Sequence, residues 1–322
     1  MQLDTTIRRG EPGKPVVIFI HGLGMDREFW TSPSETMILA RNVPMRYFAA
    51  SNPAPSKSPP KSKITIGDVP ERINNLWHAV IERGFSALCW SQRRPVGPIS
   101  IAVEELAEIV SRVKSMFPKG PLLFVCHSRG GLIARKYMES DTAGIRALIT
   151  LATPHHGSSL TKFAEHLLPV SSAIKKILPD DSQATATIVM KNVIELISST
   201  ALKELLPGSD FIKGLPASPA KGIEYLSFGG TEARMLDVYR WQKRDGAFYP
   251  GHILTIPGSL LKVLPASVVP EEMKQGRGDF MVTAESARLP WTSEHIDVSA
   301  NHITITWHPK VIKRTLELIE QI

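Results

Sequence analysis

Cysteine is nearly absent: Cys89 and Cys126 are the two thiols in a chain of 322 residues. So few exclude a disulfide scaffold, and a chain of this length buries enough surface to fold without staples. Long apolar runs are missing too, and no window approaches the roughly 18 uncharged apolar residues of a membrane span. The first residues, MQLDTTIRRGEPGKP, include basic side chains but no apolar stretch of a signal peptide. A cytoplasmic protein is therefore expected. No phosphate-binding or dinucleotide-binding glycine pattern occurs, so no cofactor is expected. With 43% hydrophobic and 21% charged residues, 22 Gly and 25 Pro, the composition excludes wholly disordered, collagen-like and coiled-coil chains.

Charge is unbalanced toward the positive: 38 Lys and Arg against 31 Asp and Glu, a net +7. The basic residues (Arg8, Arg9, Lys57, Lys61, Lys63, Arg93, Arg94, Lys274, Arg277) are scattered and match no nucleic-acid module, so no nucleic-acid partner is expected. The excess is compatible with a solvated basic surface or with weak contact to anionic lipid.

Strand and helix patterns alternate along most of the chain. VVIFI (16–20) is a buried strand stopped by the glycines of His21-Gly22-Leu23-Gly24. Segment 44–63, with five prolines, reads as an irregular loop, and 70–83 as a helix with Pro70 in its first turn and Gly84 past its end. Strands follow at 85–90, 121–127 and 145–153, with helices at 101–117 and 129–140 between them. Both cysteines lie in these strands and read as buried free thiols. From 157 to 222 the strands stop and helical patterns take over. Strands resume at 223–228 and 295–300, the stretch 232–277 has no clear pattern, and a helix closes the chain at 309–322. The pattern predicts one α/β domain over 1–322, a mostly parallel central sheet with helices on both faces, and a helical insertion at about 157–222.

The most informative junction is Leu122-Leu123-Phe124-Val125-Cys126-His127-Ser128-Arg129-Gly130-Gly131. A buried strand runs straight into a helix with a serine at the turn, an arrangement that strains the serine backbone and lifts its hydroxyl above the sheet edge. The helix N-terminus favours negative charge there, and the Arg129 N–H is aimed where a carbonyl oxygen would gain it. The usual Gly-x-Ser-x-Gly pattern keeps Gly130 but has Cys126 in place of the first glycine; cysteine is small enough for the turn.

From about Val16 to the C-terminus the sequence resembles the α/β-hydrolase superfamily. FIHGLG, VCHSRGGLIAR, LATPHHGS and GDFMVTAESARLPW, in that order, look like the corresponding stretches of bacterial lipases and GPI-inositol-deacylase-like lipases. The resemblance implies a serine hydrolase cleaving carboxylic esters through an acyl-enzyme on Ser128. It places the catalytic histidine at His302, between the last strand and the last helix, and the acid at Asp279, where Phe280 replaces a usual glycine. Asp245, before Gly246, competes for the acid role. The resemblance makes Leu23 the second oxyanion donor beside Arg129. It reads Thr153-Pro154-His155-His156-Gly157-Ser158 as shaping the pocket floor; the paired histidines lack nearby ligands, so no metal is expected. In the implied strand order the strands of Cys89 and Cys126 flank strand 16–20, putting the thiols about 10 Å apart and beyond disulfide reach.

The apolar helices of 157–222, including Val193 and Ile194, resemble a lid over an acyl pocket, although they could equally pack on the domain. The expected partner is a small-molecule or lipid ester. The same residues would serve an acyltransferase, and the fold could also persist as a binding protein without turnover.

Overall fold

The computed structural model describes residues 3–38, 43–160, 200–256, 258–262, 265, 269–292 and 294–322. In chain order the strands are β1 (Thr5–Arg8), β2 (Val16–Ile20), β3 (Met37–Ile38), β4 (Val43–Pro44), β5 (Ile64–Thr65), β6 (Ser86–Trp90), β7 (Leu122–His127), β8 (Ile145–Leu151), β9 (Glu224–Gly230), β10 (Leu236–Arg244), β11 (Ala247–Ile256) and β12 (Glu294–Val298). The helices are α1 (Glu28–Thr31), α2 (Leu76–Glu82), α3 (Ile99–Met116), α4 (Arg129–Tyr137), α5 (Thr200–Glu204), α6 (Asp210–Lys213), α7 (Gly258–Leu261), α8 (Ala284–Ala287) and α9 (Pro309–Ile319).

Seven strands form the central sheet in the order β1-β6-β2-β7-β8-β9-β12. All neighbours run parallel except β1, an antiparallel edge strand on β6. The apolar runs of β2 and β7 are fully buried because both faces of the sheet are covered. Alternation within β2 divides the core. Val17 and Phe19 face the side packed with Leu76 and Val80 of α2 and Val311 and Ile319 of α9. Val16, Ile18 and Ile20 face Leu106, Ile109 and Val113 of α3 and Leu132 of α4. Each helix contributes one apolar stripe, as the 3.6-residue period requires.

The strand order places β6 and β7 on either side of β2, as expected, with Cys89 beside Phe19 and Cys126 beside Ile20 in the register. The two thiols also belong to opposite core layers, and both are free.

Most expected elements shift by a few residues at their ends, and two differ more. The helix expected over 70–83 begins only at Leu76, because the Asn75 side chain accepts the Trp77 N–H (3.1 Å) and forms a reciprocal cap with His78. Residues 232–277, which showed no pattern, contain the β10–β11 hairpin. Its turn is Asp245-Gly246, both at positive φ (47° and 77°), a conformation matched to the twist of paired strands. The insertion expected at 157–222 falls mostly on 161–199, outside the described residues, as do Val193 and Ile194; its described remainder includes α5 and α6. Among the described residues no helix is long and apolar enough to cross a membrane.

Candidate active site

Ser128 stands between β7 and α4 with φ 53° and ψ −129°, the strained conformation expected of this turn. Cys126 does not disturb it, since its side chain is packed into the layer beneath α3 and α4. Gly130 is needed for proximity: a Cβ there would run into the backbone carbonyl of Ile20. Helix α4 can therefore start directly over the end of β2.

The His302 side chain reaches the serine from the loop after β12. Its Nε2 lies 2.9 Å from Ser128 Oγ and its Nδ1 lies 2.9 Å from Asp279 Oδ2. A carboxylate only accepts, so Nδ1 carries the proton and Nε2 offers a lone pair to the serine hydroxyl. All three residues are buried, Asp279 completely. The Asp279 carboxylate is held in place by its other oxygen, which accepts the N–H groups of Met281 (3.0 Å) and Val282 (2.8 Å). Its backbone carbonyl accepts the His302 N–H at 3.0 Å, tying the two loops together. Phe280 takes φ 88°, in the left-handed region that favours glycine, so the turn is held at the cost of strain. Asp245, the other candidate acid, lies exposed in the hairpin turn, whereas the carboxylate hydrogen-bonded to His302 is that of Asp279.

The loop after β2 abuts the serine. A Cβ on Gly22 would lie 2.9 Å from Ser128 Cβ and 3.4 Å from its Oγ, so Leu23 follows a residue in contact with Ser128. Arg129 is the first residue of α4, where a backbone N–H has no partner one turn back.

Three side chains, those of His127, Gln92 and Arg129, support the site through contacts that the sequence does not reveal. The His127 ring packs between Phe29 (centroids 4.7 Å apart) and His302 (4.8 Å), and its Nε2–H donates to the His302 carbonyl at 2.7 Å. Burial, with the nearby His302, pushes its pKa well below the usual histidine value. Burial thus favours its neutral form. Gln92 links two loops: its N–H donates to His21 Nε2 (3.2 Å), its Nε2 to the His21 carbonyl (3.1 Å), and its Oε1 accepts from Arg129 Nη1 (3.1 Å). The buried Arg129 guanidinium also donates to the carbonyls of Pro95 and Gly97, and Gly24 N–H donates to Pro95. Burial lowers that guanidinium to about 10 and the His21 imidazole to about 4. His127 adjoins the serine in sequence and could have been noticed there. Gln92 lies in a loop with no pattern to mark it.

His155 is occupied structurally. Its ring nitrogens meet Arg135 (3.2 Å) and Thr150 (3.1 Å), and its N–H donates to the Ser286 carbonyl. Ser286 Oγ in turn donates to Gly157 O at 2.6 Å. The Thr-Pro-His-His-Gly-Ser segment thus joins the end of β8 to α4 and α8. A cavity of about 350 Å³ lies beside the His302 loop, lined by residues including Tyr47, Asn52, Arg234 and Asn301 but not by Ser128.

The parallel sheet, the strained serine turn and the His302–Asp279 pair define a class of fold. A family profile described as "alpha/beta hydrolase fold" matches residues 15–176, and the chain belongs to that family. The structure is similar to the mature form of lipase BlEst2 from Bacillus licheniformis, with a TM-score of 0.57 and 16% identity over 98% of this chain and 97% of that one. It is also similar to the metagenomic carboxyl esterase MGS0156, with a TM-score of 0.51 and 13% identity over 97% of this chain and 77% of that one. At such identities the likeness is one of fold. No curated protein matches the sequence.

Proposed function

We propose that the protein is a serine hydrolase of carboxylic esters, with Ser128 as nucleophile, His302 as general base and acid, and Asp279 as the orienting carboxylate. The observation that carries this reading is the continuous chain from Ser128 Oγ through His302 to Asp279, with both hydrogen bonds at 2.9 Å in a buried site.

The chemistry follows from that alignment. Ser128 Oγ bonds to the acyl carbon while its proton passes to His302 Nε2. The Asp279 carboxylate holds the imidazole and stabilises the imidazolium that forms. Negative charge on the former carbonyl oxygen is met by the N–H groups of Leu23 and Arg129 at the start of α4. When the tetrahedral adduct collapses, the carbon–oxygen bond to the alcohol breaks and His302 returns the proton to the leaving oxygen. Water then repeats the attack on the acyl-enzyme, restoring Ser128. The Gln92 and Arg129 side chains fix the loop that carries Leu23, and His127 fixes the loop that carries His302.

Incubation with a fluorophosphonate and peptide mapping tests the assignment, alongside turnover of p-nitrophenyl esters of increasing acyl length. Labelling of Ser128 and ester turnover are expected. A label on another serine, or no turnover of any ester with Ser128 intact, would overturn it.

A further inference from the structure

The β10–β11 hairpin leaves the same sheet edge as Ser128. It follows β9, and its base is tied to the His302 loop by Glu232 N–H to Ala300 O (3.2 Å) and Asn301 Nδ2 to Arg234 O (3.1 Å). Cross-strand register sorts its two faces. Tyr239 and Trp241 stand opposite His252 and Pro250; Tyr239 is buried and donates its hydroxyl to Asn52 Oδ1 at 2.6 Å, so this face turns inward. Side chains alternate, so Arg240, Gln242 and Arg244 turn outward, with Tyr249 opposite Gln242 and Ile64 of β5 opposite Arg240.

That outer face is apolar and cationic together. Ile64 is 44% exposed and Tyr249 41%, and Ile253, at the hairpin's register shift, is 40% exposed. These are three of the five exposed large hydrophobic residues among those described. Neither Arg240 nor Arg244 pairs with a carboxylate among the described residues; Arg244 donates to Gln242 Oε1 at 2.7 Å. Lys57, Lys61 and Lys63 are exposed nearby, while Lys243 lies on the hairpin's other face over the Phe248 ring. Segments 52–66 and 236–256 hold six basic side chains against two acidic ones, and one of the two, Asp237, is engaged by Arg234.

We propose that the outer face of this hairpin docks on an anionic phospholipid surface. Cations recognise lipid phosphates and are drawn to a negative leaflet, each by about fivefold in affinity. The exposed apolar side chains select this partner over nucleic acid: an isoleucine gains from the boundary between headgroups and acyl chains but gains little from a phosphodiester backbone. Tyrosine, with an apolar ring and a polar tip, suits the same boundary. The proposal stands on the hairpin alone and holds whether or not the protein cleaves esters.

The test is sedimentation of the purified chain with vesicles of phosphatidylcholine, and with vesicles that also contain phosphatidylglycerol. Binding to the second only, weakened by high salt, is expected. Arg240→Glu with Arg244→Glu should reduce it by roughly 30-fold or more. Ile64→Ser with Tyr249→Ser should reduce it in a way that salt does not reproduce. Circular dichroism melting checks folding, and Arg240→Gln with Arg244→Gln serves if charge reversal unfolds the chain. Equal binding to both vesicles, or undiminished binding of the arginine variants, would overturn the proposal. So would tighter binding to a single-stranded oligonucleotide, or a dimer that Tyr249→Ser dissolves.

Discussion

Ser128 and Phe280 share a property unusual for residues with side chains: both sit at positive φ, at 53° and 88°, and both adjoin the hydrogen-bonded chain of Ser128, His302 and Asp279. Strain at Ser128 presents the hydroxyl. Strain at Phe280 presents Asp279, whose Oδ1 accepts two N–H groups from the same turn. A residue with a Cβ costs about 1–2 kcal/mol in this region relative to glycine. Phe280→Gly should therefore be more stable than Phe280→Ala by about 1 kcal/mol or more, measured by urea unfolding, since both lose the ring and only one keeps the strain. The reverse order would mean the turn is not strained. If Ser128, His302 and Asp279 act as one unit, Ser128→Ala and His302→Ala should each lower ester turnover about 10⁴-fold, and the double variant should lose little more. Additive losses would show that the two act separately.

The elements that position the site were legible where chemistry and periodicity agreed. Buried β2 and β7, with a serine turn between β7 and α4, follow from apolar runs stopped by glycine, and Ser128, Asp279 and His302 could be singled out because short motifs surround them. Other features were hidden for physical reasons. Strand β1, TTIR, is short and half-exposed, so it has no apolar run to reveal it. The β10–β11 hairpin mixes charged and apolar side chains on its outer face, which blurs alternation, and its Asp245-Gly246 turn suits a candidate acid as well as a hairpin. The start of α2 depends on one capping side chain, Asn75, buried against the carbonyls of Phe29 and Trp30. Close contact of α4 with β2 is a property of two elements, invisible in either alone. It makes Gly130→Ala a sharp test: the added methyl meets the Ile20 backbone, which cannot swing aside like a side chain. We expect a loss of about 2 kcal/mol or more in unfolding free energy, against a few tenths at Gly258, where a Cβ would make only ordinary contact with the Thr255 side chain. A neutral Gly130→Ala would show that α4 shifts freely on the sheet.

Across the whole molecule, buried histidines tie stability to pH. His21, His127 and His155 all lie in the interior, and burial lowers the affinity of each for a proton, that of His21 to about 4. Unfolding restores their ordinary value near 6.5, so between about pH 6.5 and pH 4 the unfolded chain binds more protons and stability falls as pH drops. His21 alone accounts for roughly 3 kcal/mol of stability at neutral pH that is lost across this window. Urea midpoints measured from pH 7 to pH 4.5 should decline steadily, and His21→Gln should flatten part of the slope; a level profile would contradict neutral burial. The two cysteines record the same interior in another way. Cys89 and Cys126 lie on strands either side of β2, in opposite core layers, and burial raises both thiols above their ordinary pKa. Thiolate is the reactive form, and reagent reaches neither sulfur while the sheet is closed. Native protein should thus consume Ellman's reagent only as fast as the central sheet opens, which makes the two thiols an internal clock for unfolding. The same silence leaves a clean background: a single cysteine introduced at an exposed position such as Lys243 could carry a spin label or dye, and its signal would come from that position alone.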